Sequence, residues 1–137
     1  MGAALSCEMS RVMWQDGLQY AKSRKAFQKK LSEFQIWRHE FAQLYSEIEA
    51  CRALTNQAVD GLNRKQDMSR EVAMAKLLSC DLAEKVATRM LQVHGGYGYM
   101  EEYPIARYFR DVRLMTIGGG TTEIMKEIVA KMCGVDN

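Results

Sequence analysis

The sequence predicts an all-α fold, an up-down, four-helix-bundle-like domain over residues 1–137, on three observations. Only one proline, Pro104, occurs in 137 residues. The helix formers Ala, Leu, Met, Glu, Lys, Gln and Arg dominate, and apolar residues recur at three- and four-residue steps instead of alternating. A 47% hydrophobic, 26% charged balance fits one globular core and neither a disordered nor a membrane chain.

The elements follow in order. Ala3 to about Ser23 reads as a first helix that opens almost at Met1 without a capping residue, so the expectation is a truncated helix start. Ser32 and Gln35 stand at capping-box spacing before a second helix, whose stripe is Phe34, Trp37, Phe41, Leu44, Ile48 and Cys51, ending near Asp60-Gly61. A polar link, Leu62 to Asp67, leads to a third helix with the apolar face Val72, Ala75, Leu78, Leu82, Val86, Met90 and Val93. Gly95-Gly96 ends it, since glycine tolerates the left-handed backbone just past a helix C-terminus. Tyr97 to Met115 reads as a loop and short helix with Pro104 in its first turn. Thr121 or Thr122 caps a last helix with the buried stripe Ile124, Ile128 and Met132.

Several function classes are not indicated. A net charge of +2, from 19 basic and 17 acidic residues, makes no field that points to nucleic acid or anionic lipid. The basic cluster Lys22 to Lys30 reads as a solvated helix end or as an anion-binding surface. Cys7, Cys51, Cys80 and Cys133 are far apart, with His39 and His94 as the only histidines, so no zinc-site spacing is present. The cysteines read as small apolar core residues of a reduced intracellular protein. No run reaches the roughly 20 apolar residues of a membrane span. Met1-Gly2-Ala3-Ala4-Leu5-Ser6 fits the loose myristoylation pattern, a short motif with frequent chance matches.

Two glycine-rich breaks carry the chemistry. Gly95-Gly96-Tyr97-Gly98 follows a helix, not a strand, so it is no dinucleotide fingerprint; three glycines in four residues admit close approach of another surface or a flat ligand. Gly118-Gly119-Gly120 before Thr121 sets free N–H groups and a helix dipole at a turn, which suits phosphate, carbonyl or flavin edges, or serves as a flexible connector. Arg110-Asp111, beside Arg107 and Arg113, reads as a partly buried ion pair that fixes the short helix.

The run from Gln92 to Lys126 resembles the C-terminal end of the flavin-dependent acyl-CoA dehydrogenases. Tyr20-Ala21-Lys22-Ser23-Arg24-Lys25-Ala26-Phe27 is similar to that family's Tyr-Ala-x-x-Arg-x-x-Phe-Gly element, and Leu31 to Gln35 to the opening of its second bundle helix. Gln28 stands where the family usually has Gly. The resemblance covers essentially the whole chain as the C-terminal helical domain, and implies that the N-terminal helical and middle β domains are absent. It implies FAD as cofactor: Arg24, Phe27 and Gln35, with Gln92, Gly95 and Gly96, would contact the FAD of a neighbouring subunit, and Thr121 and Glu123 would lie beside the flavin. It further implies an acyl-CoA substrate, a homodimer or homotetramer, electron-transfer flavoprotein as acceptor, and a bacterial cytoplasm or mitochondrial matrix.

The resemblance also locates a gap. Many members carry their catalytic Glu in a Tyr-Glu-Gly-Thr turn, where this chain has Gly118-Gly119-Gly120-Thr121. Thioester dehydrogenation needs a carboxylate for the α proton, and Gly119 has none. The long-chain and isovaleryl types share this glycine and take their base from near the start of the first bundle helix, a position that falls just before Met1. Glu8 lies roughly 15 Å further along the helix, and Asp16 further still. The expected function is that of an FAD-contacting, oligomerising domain, not catalytic alone. The chain would be a piece of a complete enzyme, a subunit completed by a companion chain, or a degenerate bundle; the alternative class is an interaction module without flavin binding.

Overall fold

The computed structural model describes residues 1–135. Five α-helices form: α1 (Gly2–Ser23), α2 (Gln35–Asn63), α3 (Ser69–His94), α4 (Pro104–Asp111) and α5 (Thr122–Met132). Strands β1 (Lys25–Ala26) and β2 (Lys29–Lys30) make a small antiparallel hairpin between α1 and α2, pairing Lys25 with Lys30 and Ala26 with Lys29. Short 3-10 turns occupy Leu31–Glu33, Gly95–Tyr99 and Val112–Thr116.

The helices run up, down and up. Trp14 of α1 donates from Nε1 to the Phe41 carbonyl at 2.9 Å, while Cys7 meets Thr55, so α1 and α2 are antiparallel. Arg89 pairs with Glu40 and Lys85 with Glu47, both at 2.7 Å, so α2 and α3 are antiparallel as well. Ser6 against Cys80 and Tyr20 against His94 make α1 and α3 parallel. Central α3 packs on α1, α2, α4 and α5.

The core is Met13 of α1, Leu44 and Ile48 of α2, and Val86 and Met90 of α3, all fully buried. Each such side chain contributes about 1.5–3 kcal/mol of transfer free energy. The interhelix ion pairs are partly exposed and worth about 0–1 kcal/mol each, so apolar burial stabilises the bundle and the ion pairs set its register. Gly17 lets α1 approach α3, because a Cβ there would come within 2.3 Å of Met90 Sδ.

Several expectations need correction. The second helix has no capping box: Ser32 falls in the 3-10 turn, and Phe34 holds the N-cap with no side-chain bond. The basic segment Lys22 to Lys30 is not simply a helix end: α1 stops at Ser23, and Lys25–Ala26 pairs with Lys29–Lys30 as a hairpin. In α3, Leu78 sits at the edge of the apolar stripe and Val72 lies a turn before the level of Gly2, where α1 starts; both are exposed. In α5, Met125 is the buried residue, while Ile124 and Met132 are exposed and Ile128 half-buried. Arg110 pairs with exposed Glu101, not with Asp111, and Arg113 with Glu84 ties this segment to α3.

Cys7, Cys51 and Cys80 are buried as expected, but Cys133 is exposed. Burial pushes the Cys7 thiol up and that of Cys51 up to about 11. A thiol reagent at pH 8 should therefore label one cysteine quickly, Cys133, and the other three only on unfolding. Two or more fast thiols would contradict this packing.

Candidate functional site

The assigned residues fall into two places. The first is the end of the bundle where α1, the hairpin and α3 terminate. A cleft of about 370 Å³ there is lined by Tyr20, Arg24, Leu31, His94, Gly95, Gly96, Tyr97 and Met100 among others. Arg24 follows the last residue of α1, and its guanidinium carbon lies 5.5 Å from the Tyr97 ring centroid. Behind it, Tyr20 stacks on buried His94 at 4.3 Å, and Tyr103 meets both rings edge-on. His94 Nδ1 donates to the Met90 carbonyl at 2.7 Å, which fixes the ring's orientation. Burial, partly offset by the charge of Arg24, raises the pKa of Tyr20. The rings form the floor, and the Arg24 guanidinium stands among them beside the tyrosine hydroxyls.

The glycines of this end differ in purpose. Gly95 caps α3 at φ +59, yet neither it nor Gly96 would bring a Cβ within 4 Å of any atom, so both present bare backbone. At Gly98 a Cβ would stand 2.6 Å from the Leu91 carbonyl oxygen. Gly98 is thus required by packing within the chain, whereas Gly95 and Gly96 keep an open surface.

The hairpin beside the cleft turns at Phe27 and Gln28, both left-handed at φ 50 and 65, a strained conformation for non-glycine residues. Phe27 is 92% exposed, and the Gln28 side chain is also exposed, so the missing glycine costs backbone strain and no space. Lys22, Arg24, Lys25, Lys29 and Lys30 are all exposed, and among the described residues none is in an ion pair. They give this end a positive potential. Gln35 opens α2 and approaches His39 at 3.4 Å. Gln92 is exposed in the last turn of α3. Neither of these two lines the cleft.

The second place is the turn before α5. Gly119 and Gly120 adopt φ +67 and +100. The Thr121 hydroxyl caps α5 by accepting from Ile124 N at 3.4 Å. Glu123 lies in the first turn, exposed, with its carboxyl held below the usual range by its own backbone N–H and by Thr121. A polar cleft of about 310 Å³ adjoins, with Thr121, Thr122 and Glu123 facing Asp81, Glu84, Arg113 and Lys126. Glu84 accepts from Arg113 at 2.8 Å and from Thr116 at 3.0 Å. Glu8 is held by Arg11 on the surface of α1.

The structure therefore brings Arg24, Gly95 and Gly96 together and Thr121 with Glu123 together, but sets the two groups apart. Lys76 touches the glycine turn, and Gly95 follows Lys76 by 19 positions, about 28 Å along α3 at about 1.5 Å per residue. Sequence reasoning missed Tyr20, His94, Tyr97 and Lys76. The signals were faint: Tyr20 opens the element that ends at Phe27, His94 and Tyr97 lie within a turn of the first glycine run, and Lys76 stands beside the apolar stripe of α3.

A three-helix up-down-up core with a short helix and a capped C-terminal helix packed on α3 is an all-α bundle of one defined class. A family model, "Acyl-CoA dehydrogenase, C-terminal domain", matches residues 2–133. The mitochondrial long-chain specific acyl-CoA dehydrogenase of Sus scrofa is 40% identical over 94% of this chain and 30% of its own length. The crystal structure of an acyl-CoA dehydrogenase from Geobacillus kaustophilus superposes with a TM-score of 0.96 at 38% identity, covering 99% of this chain and 35% of that one. The FAD complex of PigA superposes at 0.94 and 27% identity, covering 98% and 35%. The chain belongs to the acyl-CoA dehydrogenase family and has the fold of its C-terminal domain. It spans about a third of the length of these relatives.

Proposed function

We propose that residues 1–137 are the FAD-contacting, subunit-associating helical domain of an enzyme that carries out α,β-dehydrogenation of acyl-CoA thioesters. The observation that carries this reading is the meeting of the Arg24 guanidinium, which has no ion-pair partner among the described residues, with two bare glycines, Gly95 and Gly96, at one end of α3, and an N-terminal helix turn at the other. The first place suits the diphosphate and adenine half of FAD, since a guanidinium binds phosphate bidentately and glycine admits close backbone approach. The second suits a flavin edge. A separation of about 28 Å supports a reading in which the two places serve different cofactor molecules, each FAD being completed by a neighbouring subunit in a homodimer or homotetramer.

In this reading Arg24, Phe27, Gln35, Gln92, Gly95 and Gly96 hold the partner's cofactor, and Thr121 and Glu123 border the flavin of their own subunit. Bound flavin supplies the hydride acceptor for the β hydrogen. Gly119 occupies the position of the family's common catalytic Glu, so the base comes from elsewhere and the chain alone does not turn over. The N-terminal helical and middle β domains lie in the rest of a longer polypeptide or in a companion chain. Electron-transfer flavoprotein is the acceptor, and a bacterial cytoplasm or the mitochondrial matrix is the setting.

Titrating the purified chain with FAD, followed by flavin fluorescence and competed with ADP, tests the reading. Saturable binding displaced by ADP is expected. A folded chain that ignores FAD would instead fit an interaction module that has lost the cofactor.

A further inference from the structure

The geometry points to Lys76 as the positioning residue of the glycine turn. The inference rests on the reading of that turn as the flavin edge and adds what holds it in shape. Gly118, Gly119 and Gly120 have no preference for one backbone conformation, yet Gly119 and Gly120 are set at φ +67 and +100. The local bonds, from the amides of Ile117 and Gly118 to the Leu114 carbonyl, end before these two residues.

Lys76 reaches them from α3. Its Nζ donates to the Gly120 carbonyl and, at 3.4 Å, to that of Met115. One ammonium thereby joins two carbonyls five positions apart and closes the turn from beneath. Its stem runs between two glycines: Cε lies 3.8 Å from where a Cβ would stand on Gly119 and 3.9 Å from one on Gly2. The first turn of α1, the second turn of α3 and the glycine turn thus converge on one side chain. Bonds from a charged donor are stronger than neutral ones, and this one acts where the backbone has no stiffness of its own. Lys76 fixes the direction in which Thr121 and the first amides of α5 face the flavin.

The test uses the 137-residue chain, its Lys76→Met and Lys76→Arg variants, amide hydrogen exchange by NMR, and titration with riboflavin 5′-phosphate as the flavin probe. In Lys76→Met, exchange at Gly118, Ile124 and Met125 should quicken by about tenfold to a hundredfold, while Val86 and Leu44 keep their protection. Lys76→Arg should recover most of the loss because it keeps the charge. The shifts that the flavin induces at Thr121 and Glu123 should vanish in Lys76→Met, a change that loss of packing alone would not produce. Unchanged exchange in the turn overturns the role of Lys76, whatever the flavin does. Quickened exchange, with no flavin response in the unsubstituted chain, upholds Lys76 as the brace and overturns the flavin-edge reading.

Discussion

Gly98→Ala is expected to cost about 1–3 kcal/mol of stability and to displace the Gly95–Tyr99 segment. A Cβ at this position would stand 2.6 Å from the Leu91 carbonyl oxygen, 3.1 Å from His94 Cβ and 3.2 Å from Leu91 Cγ. The nearest atom belongs to the backbone of α3, which cannot give way as a flexible side chain does, so the segment moves instead. That segment carries Tyr97 over Arg24 and borders His94, hence the strain should reach the cleft. Gly96→Ala is the matched control, because its Cβ would meet nothing within 4 Å. Thermal unfolding should show a drop of several degrees for Gly98→Ala and none for Gly96→Ala. Equal melting temperatures for all three proteins would contradict the packing described here.

Arg24→Ala is expected to weaken ADP binding by about a hundredfold, the loss of a bidentate charge-assisted contact, with the fold intact. Arg24 is exposed and contacts Tyr97 only through its guanidinium face, so its removal leaves no buried group without a partner. Arg24→Lys should recover part of the affinity, since an ammonium keeps the charge and loses the planar fork. The response of Thr121 and Glu123 to riboflavin 5′-phosphate should be unaffected, because those residues lie at the far end of α3. Isothermal titration with ADP reads the effect; unchanged affinity in Arg24→Ala would remove the diphosphate assignment.

Much of the fold was legible because it rests on periodicity. Phe41, Leu44, Ile48 and Cys51, and Ala75, Leu82, Val86, Met90 and Val93, are buried where three- and four-residue spacing put them. What failed depended on tertiary packing or on turn chemistry. The Ile124, Ile128 and Met132 stripe misjudged α5 because a short helix docked on one neighbour needs only a narrow contact, which Met125 supplies. Ser32 matched a capping pattern but lies in a 3-10 turn, whose tighter winding shifts the helix start to Gln35. The hairpin was hidden because two left-handed non-glycine residues, Phe27 and Gln28, form its turn.

The candidate site was legible only as separate motifs. That Arg24 meets Gly95 and Gly96 depends on the parallel pairing of α1 with α3, and no local pattern encodes it. The brace from Lys76 to Gly120 spans 44 positions and left no mark beyond a lysine near an apolar stripe.

The central claim is that this chain supplies FAD contacts across a subunit boundary. Native mass spectrometry of the chain isolated from its own source, read together with visible flavin absorption, tests it most directly. The account predicts an oligomer that carries FAD, with any companion polypeptide in a fixed ratio. A flavin-free oligomer that also ignores added FAD would contradict it.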